Sequence, residues 1–134
     1  SLIVIFIIFS LNPNITGFSV REVKDKISAK VVIFTDNNVV LPKDSVVEVS
    51  LDDKNFSMSV KEFIEKNGSW YESKTGSYPQ INYYGEGYSG NHNYALGLES
   101  FNLGVVENKD LHLLKIKVYY KDKIVSETVR EVNK

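Results

Sequence analysis

The chain of 134 residues contains no cysteine, so neither a disulfide framework nor a thiolate metal site can be built from it. An exported form must therefore hold itself together by its hydrophobic core. Histidine is almost as scarce, with His92 and His112 the only two and no H-x-H or H-E-x-x-H spacing around either. The serines lie in neither a G-x-S-x-G nor an S-x-x-K context, so no activated nucleophile is signalled. Clustered charge is missing as well. Sixteen Lys and Arg stand against 17 Asp and Glu for a net charge of −1, which argues against a nucleic-acid surface. These absences lead us to expect no enzyme, no cofactor, no metal centre and no nucleic-acid partner.

Charge is also absent from the first twenty residues, SLIVIFIIFSLNPNITGFSV, which open with eight consecutive apolar side chains at positions 2–9. An apolar run of that length matches the central region of a signal peptide and is too short to span a bilayer by itself. Pro13 disfavours helix at Asn12, and Gly17 and Ser19 stand two apart as small residues do before a cleavage point. Residues 1–19 are accordingly expected to be an export signal or a membrane anchor that extends upstream, and residues 20–134 a single domain. The competing reading is a buried first strand of that domain. Export would also suit the three N-glycosylation triplets at Asn14, Asn55 and Asn67, of which Asn55 and Asn67 fall where exposed turns are expected.

Most of the remaining sequence alternates as strands do. VVIF at residues 31–34 is a β-branched run that stops at Asp36, Asn37 and Asn38 and resumes at Val39 before Pro42 closes it. In VVEVSL at residues 46–51, Val47, Val49 and Leu51 face one way while Glu48 and Ser50 face the other. Phe56, Met58 and Val60 repeat that period across the polar stretch DDKN at 52–55, giving an antiparallel hairpin with one wet face. Ser59 and Glu62 then form a capping box, Phe63 and Ile64 an apolar edge, and Gly68 a left-handed stop, so a helix of about two turns is expected. Asp52, Asp53 and Asn55, like Asp36, Asn37 and Asn38, are oxygen-rich enough for calcium, yet turns favour these residues for backbone reasons alone.

Between residues 69 and 97 the composition changes. This stretch holds Trp70, six of the eight tyrosines and five of the eight glycines, while aliphatic residues nearly vanish. Ser89, Gly90 and Asn91 signal a turn, so residues 81–88 and 94–101 are expected to pair as a twisted hairpin. Strand alternation places Tyr84 and Tyr88 on one face and Tyr83 on the other. Exposed Tyr and Trp beside Gly, Ser and Asn make adaptable contact surfaces, and the same rings equally serve as core and cross-strand pairs. Trp70, Tyr83, Tyr84 and Tyr88 are the candidate ligand-binding residues.

The ending, DLHLLKIKVYYKDKIVSETV at residues 110–129, alternates Leu114, Ile116, Val118 and Tyr120 with lysines and turns tightly into a last strand. Its layout resembles the final two strands of immunoglobulin-like modules of the fibronectin type III or CARDB kind. That resemblance implies a mainly β fold, an antiparallel immunoglobulin-like two-layer sandwich, here with one short inserted helix. It also implies a cell-surface spacer or binding domain. No cysteine pair brackets Trp70, so the antibody-type core is absent. The functional expectation is an exported cell-envelope domain, extracellular or at the cell surface, with a structural or protein-interaction role. It would touch the membrane through its N-terminal segment only, with other envelope proteins or surface glycans as partners. The alternative is a small carbohydrate-binding module with a Tyr/Trp surface.

Overall fold

A computed structural model describes residues 3–9, 15–23, 26–68, 73–103 and 111–133, with side chains described over 29–68, 73–103 and 111–132. In chain order the strands are β1 (Ile3–Phe9), β2 (Ile15–Val23), β3 (Lys26–Thr35), β4 (Leu41–Pro42), β5 (Val46–Leu51) and β6 (Lys54–Ser59). The helix α1 (Val60–Glu65) follows, then β7 (Lys74–Tyr78), β8 (Tyr83–Tyr88), β9 (His92–Gly97), β10 (Leu111–Tyr120) and β11 (Lys123–Asn133). All pairings are antiparallel. They form two four-stranded sheets, β1-β2-β3-β9 and β11-β10-β5-β6, and a three-stranded sheet β4-β8-β7. The chain is thus mainly antiparallel β, and its sheets form a sandwich.

Period-two alternation is what builds the inner layer. Val47, Val49 and Leu51 of β5 and Leu114, Ile116 and Val118 of β10 are all buried, and belong to one core cluster with Val31, Ile33, Tyr94 and Leu96 of the opposing sheet. On the wet face, register sets Glu48 beside Lys117, and Lys117 beside Glu127 with Nζ 3.9 Å from Oε2. Opposite charges thus alternate across three strands.

The expected helix forms as its caps dictate. Ser59 Oγ accepts from the Glu62 amide at 3.0 Å, Phe63 and Ile64 are fully buried, and Gly68 takes φ +71°. Two expectations need correction. The DDKN loop is a two-residue turn, because Asp52 at φ 56° lets Lys54 pair with Leu51 and Asn55 with Ser50. Phe56 shares the inward register of Val49 yet is 37% exposed, since β6 is the sheet edge and has no strand beyond it.

At the N-terminus, Ile3–Phe9 is extended and pairs with β2 from Ile3↔Glu22 to Phe9↔Thr16. The expected boundary after residue 19 falls inside β2, whose partner is β3 along its whole length. No helix among the described residues is long and apolar enough to cross a membrane.

A buried phenol ties the third sheet to the sandwich. The Tyr78 hydroxyl donates to the Val125 carbonyl at 3.1 Å, where β11 carries an extra residue relative to β10: Val118 pairs with Ser126 and Tyr119 with Ile124. That bulge leaves both Val125 and Ser126 buried.

Two outcomes test this architecture. Val49→Asp buries an unpaired carboxylate and should abolish cooperative unfolding, whereas Glu48→Gln, on the wet face, should shift stability by only about 0.5 kcal/mol in a denaturant titration. Burial and the neighbouring charge of Asp36 push Tyr78 up to about 12 from 10.0. The folded state therefore holds the phenolic proton more tightly than the unfolded chain, and the stability this contributes is complete below pH 10 and lost as pH rises toward 12. Tyr78→Phe should cost about 1 kcal/mol at neutral pH, and denaturation midpoints should show the gap to the parent protein closing through that alkaline range.

Candidate functional site

The turn at Ser89, Gly90 and Asn91 forms, but it does not close the expected hairpin. β8 pairs with β7 and β4, while β9 pairs with β3 in the other layer. Gly90, at φ +100°, explains the crossing: its amide donates to the Asp36 carbonyl at 2.8 Å and its carbonyl accepts from Thr35 Oγ1 at 2.7 Å. The turn is thereby fastened to the end of β3, and the two aromatic runs leave it toward different sheets.

This separation sorts the tyrosines. Tyr88 is buried at 2% exposure and Tyr84 stands out at 78%, although both have the same parity along β8. The shared face expected from alternation is corrected by the shortness of β4, which covers only Gly87 and Tyr88. Beyond that point, among the described residues, only Lys43 still reaches β8 from this side, its amide donating to the Glu86 carbonyl at 3.1 Å. Tyr83 is half-buried, its hydroxyl donating to the Glu86 carbonyl and its ring lying edge-on to Tyr120 at 5.1 Å and 71°. Trp70 lies outside the described residues.

Tyr83, Tyr84 and Tyr120 meet in an open cleft of about 450 Å³ completed by Ile81, Asn82 and the β10–β11 turn of Lys121, Asp122 and Lys123. Its volume falls in the range of small-molecule sites. Lys121 Nζ sits 5.3 Å from the Tyr120 ring centroid, and Asn82, Lys121, Asp122 and Lys123 are all exposed. Of the expected quartet, then, the structure brings Tyr83 and Tyr84 together, places Tyr88 in the core, and adds Tyr120, Asn82 and the lysine turn. The added residues carried a faint signal: a Tyr-Tyr pair running directly into a charged turn at Lys121.

The other singled-out residues serve the fold. Asp36 Oδ1 accepts from the amides of Asn38 and Val39 at 2.7 and 3.3 Å, closing its own turn. Asp52 accepts from the Leu113 amide at 3.0 Å through Oδ1, and from His112 Nδ1 at 2.8 Å through Oδ2. Because an ionised carboxylate only accepts, the His112 proton sits on Nδ1. Its ring is 1% exposed, so it clasps the β5–β6 turn to β10. His92 is exposed and lies 5.9 Å from the Tyr94 ring. Among the described residues no group of three or more His, Cys, Asp or Glu is placed to hold a metal ion. Of the glycosylation candidates, Asn55 is exposed on β6. Asn67 is half-buried, its Nδ2 donating to the Phe63 carbonyl and its Oδ1 accepting from the Ala95 amide, both at 2.8 Å.

No protein-family model, curated protein or solved structure matches the chain.

The split between the tyrosines is measurable. Tyr88→Ala should destabilise the domain by about 3 kcal/mol or more through the cavity it leaves, and Tyr84→Ala by well under about 1 kcal/mol. Comparable losses in thermal unfolding would contradict the assigned burial.

Proposed function

We propose that this chain is an exported cell-envelope module, an immunoglobulin-like sandwich of the fibronectin type III layout with a structural or protein-interaction role. The observation that carries the reading is strand order. Sheet β2-β3-β9 opposes sheet β11-β10-β5-β6, a three-plus-four arrangement in which the last two strands are the hairpin whose layout prompted the resemblance. The helix α1 and strands β7 and β8 are then insertions between the fourth and fifth strands of that arrangement, and β4, which completes the small sheet, lies between the second and third. β1 lies outside it, at the end of its sheet next to β2. A segment in that position can be surrendered to export or anchoring while the three-plus-four core stays whole.

A second reading, a small carbohydrate-binding module, draws support from the cleft. There the exposed Tyr84 ring adjoins half-buried Tyr83 and Tyr120, with Asn82 and Asp122 in hydrogen-bonding reach of a bound molecule's rim. The Tyr83 and Tyr120 rings are close to perpendicular, so they make a corner rather than a flat platform.

The module reading has a direct test in truncation. A chain starting at Ile15 keeps all nine residues of β2 and should melt cooperatively, close to the parent. One starting at Val20 loses five of the nine and should be destabilised by several kcal/mol, as expected for about half of a core strand. Export is tested separately, by adding protease to intact cells of the source organism. Digestion of the chain before lysis supports an envelope location, and protection until lysis overturns it.

A further inference from the structure

We propose that the cleft between β8 and the β10–β11 turn is a subsite for an acidic saccharide, a pyranose ring carrying a carboxylate. The inference rests on the binding-module reading and names its ligand class. Shape and lining point to a ring that is apolar on one face and polar around its edge. Tyr84, at 78%, is the most exposed large hydrophobic side chain among the described residues, and it lines a cleft of about 450 Å³. Half the lining is aromatic or aliphatic and half is Asn82, Lys121, Asp122 and Lys123. The C–H face of a pyranose stacks on a tyrosine ring, while its hydroxyls need amide and carboxylate partners such as Asn82 and Asp122.

Charge then selects among sugars. Lys121 and Lys123 flank the cleft, and among the described residues neither meets a carboxylate within salt-bridge distance. By contrast, Lys43 and Lys117 elsewhere on the surface are paired with Glu86 and Glu127. Two ammonium groups against the single Asp122 leave the cleft with a net positive charge, complementary to a carboxylate on the ring.

Lys121 takes φ 54° as the first residue of the two-residue β10–β11 turn, as Asp52 does at φ 56° in the β5–β6 turn. From that turn the Lys121 ammonium lies 5.3 Å from the Tyr120 ring centroid, on the lining of the cleft. Glycine is the easier residue for left-handed backbone, so position 121 can give up its side chain without loss to the turn.

Calorimetric titration of the full chain with a linear galacturonate tetramer, a neutral glucose tetramer and a hexaglutamate peptide tests the proposal. The uronate should bind at least about tenfold more tightly than the neutral sugar, and this preference should shrink as salt rises from about 50 to about 300 mM. Lys121→Gly relieves the left-handed backbone, so it should leave the melting temperature equal or higher while lowering uronate affinity toward that of the neutral sugar. Tyr84→Ala should weaken both sugars at least about tenfold, with the fold intact by circular dichroism. The proposal is overturned if the folded chain binds neither sugar, if both bind equally, or if the peptide binds as well as the uronate. It is also overturned if Tyr84→Ala has no effect. Each of these results leaves the cell-envelope reading standing, because that reading depends on the truncation and protease outcomes. Binding of neither sugar also removes the carbohydrate-binding reading, whereas equal binding of both leaves it in place.

Discussion

The hydrogen bond from Tyr78 to the Val125 carbonyl ties the small sheet, and the cleft beside it, to the sandwich. The phenol is fully buried, and a buried hydroxyl without a partner would be worth more unfolded than folded. Its partner sits at the point where β11 holds one residue too many for β10. A bulge bends its strand and increases local twist, which carries the β10–β11 turn toward the small sheet. From Tyr78 the chain runs directly through the single turn of Pro79–Ile81 and the left-handed Asn82 into Tyr83, so fixing one phenol also fixes the next. Tyr83 then meets Tyr120 edge to face. The cleft is thus lined by residues that follow directly in the chain from this bonded phenol.

Within the small sheet, β4 and the residue before it come this close to β7 and β8 only because two positions carry no side chain. A Cβ at Gly87 would collide with the Leu41 carbonyl, and one at Gly76 with a Val40 methyl. Both contacts come from the segment that precedes β5, so glycine permits Val39, Val40 and Leu41 to be buried between layers. The same closeness limits β4 to two residues before Pro42, which cannot donate to a ladder, ends it. Tyr84, beyond the pairing with β4, stands in solvent while Tyr88, four residues on and paired with Leu41, enters the core.

What could be read from the sequence was what local periodicity encodes. β5, β10 and the cap of α1 follow from alternation and from Ser59 and Glu62, because those signals act within a few residues. Gly90 was legible as a turn, but its connection was not, since the bonds that commit it come from Thr35 and Asp36, more than fifty positions earlier. The same holds for Asp52: a polar residue in a polar stretch reads as loop until its carboxylate is seen to serve His112 and Leu113. The candidate site was half legible. Composition singled out Tyr83 and Tyr84, but exposure within one strand depends on how far the neighbouring strand reaches, which no alternation rule contains. Tyr120 was assigned to strand pattern alone because its ring contact is with a residue 37 positions away.

Placing recognition at this corner also resolves a conflict between stability and exposure. A chain without disulfides relies on its core, so most of its aromatic area must be inside, as Tyr78, Tyr88, Tyr94, Phe63 and Phe101 are. Exposed rings contribute little to folding and raise the risk of association. Here that risk is confined: Tyr83 covers the bare backbone of Gly85, where an added Cβ would lie 2.8 Å from its hydroxyl, and Tyr120 is held between that ring and the Lys121 ammonium. Both are already ordered, so a ligand entering the cleft has few side chains left to immobilise, and ordering costs of about 0.5–1.5 kcal/mol per side chain are largely avoided. Tyr84 is the most exposed of the three rings. One exposed ring beside that packed corner suits a small rigid ligand, and is too little to form by itself the roughly 800 Å² that a stable protein interface buries on each partner.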